Sequence, residues 1–389
     1  MKEIYLDNNA TTKVDEAVFE EMRPYLCELY GNPSSMHFFG GQVQKKVDEA
    51  RKRVAALLGA DPSEIIFTAC GTESDNTAIR SALETFPEKR HVITTRVEHP
   101  AVLTLCRGLT KKGYRVTELG VDGAGRIDLD ELRNAIDDDT AIVSVMWANN
   151  ETGVVFPIEE IGAIVKERGA LFHTDAVQAV GKIPLNMAAS TVDMLSLSGH
   201  KLHAPKGIGI LYLRKGTPFR PFLVGGHQER SRRAGTENTA AIIALGKACQ
   251  TAAEWLEDEN TRVLGMRDRL EKELLSIIPH SRINGGGAVR LPNTLSIAFE
   301  FVEGEAILLL LSEKGICASS GSACTSGSLE PSHVLRAMGV PFTCAHGSIR
   351  FSLSRFTSED EIDAVIRELP PIILRLRQIS PFGRELLKG

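Results

Sequence analysis

The chain has 389 residues, of which 43% are hydrophobic and 24% are charged, and its formal net charge is −5. This composition is typical of a globular protein, and the length exceeds what one hydrophobic core usually holds, so we expect a large domain and a smaller one. The negative charge and the lack of a long basic run argue against nucleic acid as the main partner. No apolar stretch approaches the roughly 18 residues that a membrane span needs, so no membrane partner is predicted.

The N-terminus and the cysteines indicate the compartment. The first residues, MKEIYLDNNATT, lack the apolar core of a signal peptide, so we expect a cytoplasmic protein. The seven cysteines are scattered and include no C-x-x-C pair, so neither a zinc ribbon nor a disulfide framework is predicted. We also expect no metal site, because Cys344-x-His346 is a weak signal on its own. A functional cysteine would therefore act as a lone thiolate.

Helix and strand patterns alternate through the first two thirds of the chain. Apolar residues repeat at helical spacing from Val43 to Leu57, and Gly59 would end that helix. A further helix is predicted at 158–169, and short apolar runs predict strands at 64–68, 91–95, 140–148, 170–175, 191–198 and 207–213. This rhythm predicts an α/β fold with a mostly parallel sheet, of the seven-stranded type, covered by helices on both faces.

The pattern changes after about residue 255. A long charged helix is predicted at 259–278, strand-like pieces follow at 293–300 and 348–354, and a closing helix begins near 358. We interpret this part as a smaller α+β domain. The predicted large domain covers residues 15–255, and the small domain combines residues 1–14 with residues 256–389.

Ligands in parallel α/β sheets gather at the carboxyl ends of the strands. One such end is TACGTESDN (68–76), where Gly71 and Thr72 lie between a strand and a helix. Free N–H groups at the helix start could hold a phosphate. Alternatively, Thr72 is an ordinary N-cap of that helix.

Two further strand ends carry reactive side chains. Asp175 follows a buried strand and precedes Gln178; its carboxylate could bind a charged cofactor nitrogen or cap a helix. Lys201 follows the next strand together with Ser198 and His200. A lysine beside a desolvated strand end can attack a carbonyl, although a solvated loop lysine is the more common case.

Other polar residues have an ordinary explanation when each is taken alone. His99 follows a strand, Thr236 lies near Arg233 in a polar loop, and Arg350 interrupts an apolar strand. An arginine in that position could clamp a carboxylate through two parallel hydrogen bonds. Cys324 lies among small residues in ASSGSACTSGSLEPSH (318–333), which suits either a reachable, reactive thiol or a plain loop residue.

The combination of these residues points to pyridoxal phosphate (PLP) and an amino-acid substrate. The set supplies groups for one phosphate, one aldehyde, one basic ring nitrogen and one carboxylate. Lys201 would form the Schiff base, Asp175 would keep the ring nitrogen protonated, and His99 would lie on the ring face and move protons. Gln178 would donate to the phenolic oxygen. The phosphate would be held by the helix start with Thr72, Ser198 and His200.

The chain resembles the cysteine desulfurases of the NifS/IscS family over nearly its whole length. The motifs that carry the resemblance are YLDNNATT, GNPSS, VEHPAV, MWANNETG, HTDAVQAVGK, SGHKLHAPKGIG, RRAGTEN and SSGSACTSGSLEPSHVL, in this order. Leu202-His203-Ala204 is more similar to the nitrogen-fixation NifS branch than to housekeeping relatives. The resemblance implies a PLP enzyme of fold type I, a homodimer, that converts L-cysteine to L-alanine and leaves the sulfur as a persulfide.

The resemblance also implies roles for individual residues. Cys324 would accept the sulfur and hand it to a partner, which for the long-loop members is an iron–sulfur scaffold protein. Thr236 would reach the phosphate in the neighbouring subunit, and Arg350, with Asn150, would hold the substrate carboxylate. The residues implied to contact PLP are Gly71, Thr72, Asn150, Gln178, Ser198 and His200.

Two alternatives remain open at the level of the sequence. The first is another enzyme on the same PLP framework, such as a selenocysteine lyase or an aminotransferase, although a transaminase has no need for a thiol like Cys324. The second is an iron–sulfur assembly protein that acts mainly as a binding scaffold. Intact Lys201, Asp175 and Cys324 argue against the second alternative.

Overall fold

The structure is a computed structural model that describes residues 3–320 and 331–386. The strands are β1 Ile4–Tyr5, β2 Ile65–Thr68, β3 His91–Thr95, β4 Arg115–Leu119, β5 Thr140–Ser144, β6 Leu171–Asp175, β7 Met194–Ser198, β8 Gly209–Leu213, β9 Ser281–Ile283, β10 Thr294–Phe299, β11 Ile316–Cys317 and β12 Ser348–Ser352. The helices are α1 Glu16–Met22, α2 Pro24–Cys27, α3 Phe38–Leu58, α4 Gly71–Thr85, α5 Pro100–Thr110, α6 Leu129–Ala135, α7 Ile158–Glu167, α8 Gln228–Ser231, α9 Thr239–Glu254, α10 Leu256–Asp258, α11 Leu264–Ile277, α12 Gly304–Glu313, α13 His333–Ala337, α14 Phe342–Ala345, α15 Glu359–Ile379 and α16 Gly383–Leu386. No helix in these two ranges is long and apolar enough to span a membrane.

A seven-stranded sheet forms the centre of the fold, with the order β2-β8-β7-β6-β5-β3-β4. The neighbouring strands β4, β3, β5, β6 and β7 pair in parallel, and β8 runs antiparallel to its two neighbours, β2 and β7. Both faces of the sheet are buried, since Ile210 and Tyr212 of β8 join one hydrophobic cluster while Leu211 and Leu213 join another. The predicted α/β fold with a mostly parallel sheet is therefore confirmed.

A third hydrophobic cluster combines Leu6 with residues between Val263 and Leu376. It surrounds an antiparallel sheet, β12-β10-β9, and the short parallel pair β1-β11. Some residues within this range, including Val334 and Leu335 of α13, instead pack into the cluster that contains Ile210 and Tyr212. The division into domains at residues 14–15 and 255–256 stays a prediction.

Several predicted elements differ from the observed ones in their ends. Gly59 does end α3, with a left-handed φ of 61° that suits glycine. The strand predicted at 140–148 stops at Ser144. Val145 and Trp147 still donate backbone N–H groups to the His173 and Asp175 carbonyls of β6, so the extension is irregular rather than absent. The predicted helix at 259–278 begins with a π-helical turn, Glu259–Val263. Strand β4 was not predicted, since RVTEL is charged and only partly buried.

A buried ion pair between Arg51 and Glu229 stabilises the turn that lies a few residues before Thr236. The guanidinium of Arg51 donates to both carboxylate oxygens of Glu229 over 2.7 and 2.8 Å, and the Phe67 N–H also donates to Glu229. Glu229, Arg230 and Ser231 all have positive φ values, which non-glycine residues adopt only when their surroundings enforce them. The ion pair is thus one contact that keeps this turn in place.

Replacing Glu229 with alanine is expected to lower the free energy of unfolding by about 3–5 kcal/mol, because a buried guanidinium loses its counter-ion. Chemical denaturation of the purified protein would measure this change. Glu20→Ala is the control, since Glu20 pairs with Arg23 on the surface and should contribute about 0–1 kcal/mol. Equal losses in the two variants would contradict the role given to the buried pair.

Candidate active site

One cavity at the carboxyl ends of the parallel strands collects nearly all predicted site residues. Its volume is about 420 Å³. The predicted residues that line it are Gly71, Thr72, His99, Asn150, Asp175, Gln178, Ser198, His200, Lys201 and Arg350. They come from the loops after β2, β3, β5, β6 and β7 and from β12. Thr236 is exposed and does not line this cavity, and Cys324 lies outside the described residues.

Lys201 lies in a 3₁₀ turn, Gly199–Lys201, that directly follows β7. Its Nζ donates to the carbonyl oxygens of Asn9 and Ala10, each over 2.6 Å. The Gln178 side chain donates to the same Asn9 carbonyl over 3.1 Å. Asn9 and Ala10 of the N-terminal segment therefore line the cavity and hold the lysine nitrogen in place through their carbonyl oxygens.

Asp175 ends β6 and is buried beside the lysine. One of its oxygens accepts the Val177 N–H over 2.9 Å, which closes a turn. Burial raises the pKa of Asp175, while the nearby His99 and Lys201 oppose the rise. A cation placed against this carboxylate would stabilise its ionised form. A protonated ring nitrogen is such a cation.

A second buried carboxyl, Asp75 of α4, lines the same cavity and was not predicted. It is 1% exposed, and burial together with the charge of Asp175 raises its pKa well above the ordinary value. Within the described ranges its Oδ1 has no hydrogen-bond partner, and His173 Nε2 lies 3.6 Å from it. Two such close carboxyls disfavour simultaneous ionisation, so a proton on Asp75 allows Asp175 to remain charged.

His99 is the N-cap of α5, and its Nδ1 accepts the Ala101 N–H over 3.2 Å. Burial lowers the pKa of His99, with Asp175 acting against this effect and Lys201 adding to it. The imidazole is therefore neutral, and the bond at Nδ1 assigns its hydrogen to Nε2. A neutral imidazole on the cavity wall can both take up and return a proton.

The start of α4 provides an anion site. The helix begins at Gly71 with Cys70 as N-cap, so the alternative in which Thr72 is the N-cap is wrong. A Cβ at position 71 would lie 2.9 Å from Val177 Cγ2, so glycine lets the backbone come close. N–H groups in the first helical turn lack intrahelical partners and favour a phosphate. Ser198 and His200 line the cavity near them.

Arg350 lies in the middle of β12 and is 3% exposed. Its guanidinium donates to Asp7 Oδ1 over 2.7 Å and to the Asn150 carbonyl over 2.9 Å. Among the residues that the structure covers, its Nε finds no acceptor. A buried N–H without an acceptor favours binding of a carboxylate, which agrees with the predicted clamp.

The donor set fits PLP. The glycine cradle at α4 suits the phosphate, Asp175 suits a ring nitrogen, and Lys201 lines the same cavity and suits the aldehyde. When bound, PLP captures an amine covalently and withdraws electrons from it. The residues around it would hold the ring, aim Lys201 and accept or return protons through His99.

Sequence reasoning missed part of the cavity wall. Asn8 donates to the Ser352 and Tyr5 carbonyls and is structural, whereas Asn9 lines the cavity. Their residue types give no signal that separates these two roles. Asn150, which the resemblance implied, does line the cavity, while Asn149 caps its own loop by accepting the Glu151 and Thr152 N–H groups.

The surroundings of Cys344 disfavour a second reactive thiol there. Cys344 is buried, and burial raises the pKa of its thiol, which disfavours the thiolate. Cys70 lines the cavity beside Gly71. Over residues 3–320 and 331–386, no cluster of three or more acidic, His or Cys side chains could hold a metal ion.

Comparisons with known proteins define the class. The sequence profile described as aminotransferase class-V matches residues 4–365, so the chain belongs to this family. A cysteine desulfurase of Trichormus azollae is 64% identical over 385 residues, which are 99% of this chain and 96% of that relative. The cysteine desulfurase NifS of Azotobacter vinelandii is 60% identical over 383 residues, 98% of this chain and 95% of that relative.

The solved structures agree. One described as a NifS-like protein superimposes with a TM-score of 0.90 at 41% identity, covering 96% of this chain and 100% of that chain. The resemblance to the cysteine desulfurases of the NifS/IscS family is therefore confirmed. So are fold type I and the dependence on PLP that members of this class share.

Proposed function

We propose that this enzyme converts L-cysteine to L-alanine and leaves the sulfur as a persulfide on its own Cys324. The cavity that joins Lys201, Asp175 and Arg350 carries this proposal. Arg350 holds the substrate carboxylate, with Asn150 beside it, and Lys201 and His99 move protons at the reacting carbons. Gly71, Thr72, Ser198 and His200 bind the phosphate, and Gln178 binds the phenolic oxygen.

The described residues on either side of segment 321–330 support the role of Cys324. On one side, Ser319 exchanges backbone hydrogen bonds with Arg350, over 2.6 and 3.2 Å. On the other side, Ser332 donates to Glu151, and His333 Nε2 lies 3.0 Å from the Glu98 carbonyl oxygen. Each of these contacts is made to a cavity-lining residue or to the chain neighbour of one.

The sulfur step balances without an external oxidant. The Cys324 thiolate attacks the sulfur of cysteine, an S–S bond forms, and the C–S bond of the substrate breaks. The electron pair of that bond goes to the substrate carbon, which takes up a proton and becomes the methyl group of alanine. Cys324 retains the sulfur at the persulfide level, ready for transfer to an acceptor thiol.

The partners are part of the same proposal. A homodimer is supported by Tyr30, Met36 and Phe38, which expose large apolar side chains within one short stretch of the chain, as is common where another chain binds. Thr236 is exposed and does not line its own cavity, and it would reach the phosphate of the second subunit. An iron–sulfur scaffold protein is the proposed acceptor of the sulfur, and a cytoplasmic location stays a prediction.

Product analysis tests the function. The purified PLP-loaded protein is incubated with L-cysteine and a reductant, and equal amounts of alanine and sulfide are expected. Protein stripped of PLP is the control and should form neither. A keto acid, or pyruvate with ammonia, would contradict the proposal and would mean that the PLP site serves another reaction.

A further inference from the structure

Glu151 is a buried carboxylate that the steps above do not use. It follows Asn150 in the loop after β5 and is 5% exposed. Its N–H donates to Asn149 Oδ1 over 2.9 Å, so the loop holds its backbone firmly. Its side chain leaves this loop and meets Ser332, far away in the sequence.

The hydrogen bond between these two side chains has a defined direction. Ser332 is the N-cap of α13, and its Oγ accepts the N–H groups of Val334 and Leu335 over 3.0 and 3.4 Å. Since its lone pairs serve the cap, the hydroxyl hydrogen is left for Glu151 Oε2. Glu151 therefore acts as the acceptor, and a glutamine oxygen could replace it.

This pair links the substrate site to the chain that follows Cys324. Asn150, one residue before Glu151, accepts the Arg350 guanidinium through its carbonyl oxygen. Burial raises the pKa of Glu151 to about 7, while the hydrogen bond from Ser332 and the charge of Arg350 oppose the rise. Ser332 lies eight positions beyond Cys324 and is itself buried.

We propose that Glu151 and Ser332 are positioning residues that set how Cys324 reaches the sulfur of the bound substrate. This inference rests on the proposed function. The anchor holds one end of the sulfur-accepting segment at a constant place relative to Arg350, and Arg350 holds the substrate. Loss of the anchor slows the attack of the thiolate without changing how cysteine binds.

Single-turnover experiments with the PLP-loaded enzyme test this. In Glu151→Ala, persulfide formation on Cys324, followed by mass spectrometry, should slow by about 10- to 100-fold. The spectral change on cysteine binding should occur at the same cysteine concentrations as before. Glu151→Gln keeps the acceptor and should leave both values as in the unchanged protein, and Glu159→Ala, an exposed site, is the matched control.

A second pair of variants keeps the test valid if Glu151→Ala does not fold. Ser332→Gly removes the hydroxyl but suits an N-cap, so it isolates the bond to Glu151 from the cap itself. Ser332→Thr keeps the hydroxyl and should transfer sulfur normally. Normal transfer in both Glu151→Ala and Ser332→Gly would overturn the inference, as would loss of cysteine binding in both. Absence of a Cys324 persulfide in the unchanged enzyme would instead refute the proposed function.

Discussion

Lys201→Ala is expected to bind PLP without a covalent link and to lose turnover. Lys201 supplies both the amine for the aldehyde and a base within the cavity, and removing a positioned acid–base group alone costs about 10²–10⁴-fold in rate. Treatment with borohydride followed by mass measurement should attach one cofactor to the unchanged protein and none to the variant. The rate of alanine formation from L-cysteine gives the loss of activity.

The fold should survive this change. The variant removes the two hydrogen bonds from Nζ to the Asn9 and Ala10 carbonyls, a loss of about 1–3 kcal/mol in the free energy of unfolding. Lys206→Ala is the matched control, because Lys206 is an exposed lysine in the same loop. Covalent attachment of PLP to the Lys201 variant would show that another lysine carries the aldehyde.

Cys324→Ala is expected to keep the cofactor and to stop releasing sulfur. Lys201, Asp175 and Arg350 line the cavity and are unchanged in this variant, so cysteine should still bind and change the cofactor spectrum. The thiolate that attacks the substrate sulfur is missing, so sulfide and alanine should fall to the background rate. Assays of both products, beside the visible spectrum during titration with cysteine, measure the two effects separately.

Cys27→Ala is the control for this prediction, since Cys27 is an exposed thiol that lies outside the proposed mechanism and should be dispensable. Sulfur release at the normal rate from Cys324→Ala would remove Cys324 from the proposed mechanism. Loss of the cofactor spectrum in the same variant would indicate a structural role for residue 324 instead of a chemical one.

Site residues whose side chains are ionisable and lie beside or within apolar strands could be predicted without the structure. Lys201, Asp175, His99 and Arg350 follow or interrupt apolar strands, and the rule that parallel strands place their ligands at the carboxyl edge brings the first three together. The fold class followed from the same strand and helix periodicities. Strand β4 escaped prediction because edge strands that are half exposed lose the continuous apolar signal.

The sequence by itself determined much of the chemistry: the residue types at the strand ends and in β12 point to PLP and an amino-acid carboxylate, and the family resemblance implies that Cys324 accepts the sulfur. Only the tertiary structure decided which further neighbours share the site. It separated Asn9 from Asn8, and it placed Asp75 beside Asp175. It also brought Glu151 against Ser332, across 181 positions. The hydrophobic periodicity of a sequence indicates which face of a helix or strand carries a residue. It does not indicate contacts between distant segments, because these depend on which buried polar groups become hydrogen-bond partners when the chain packs.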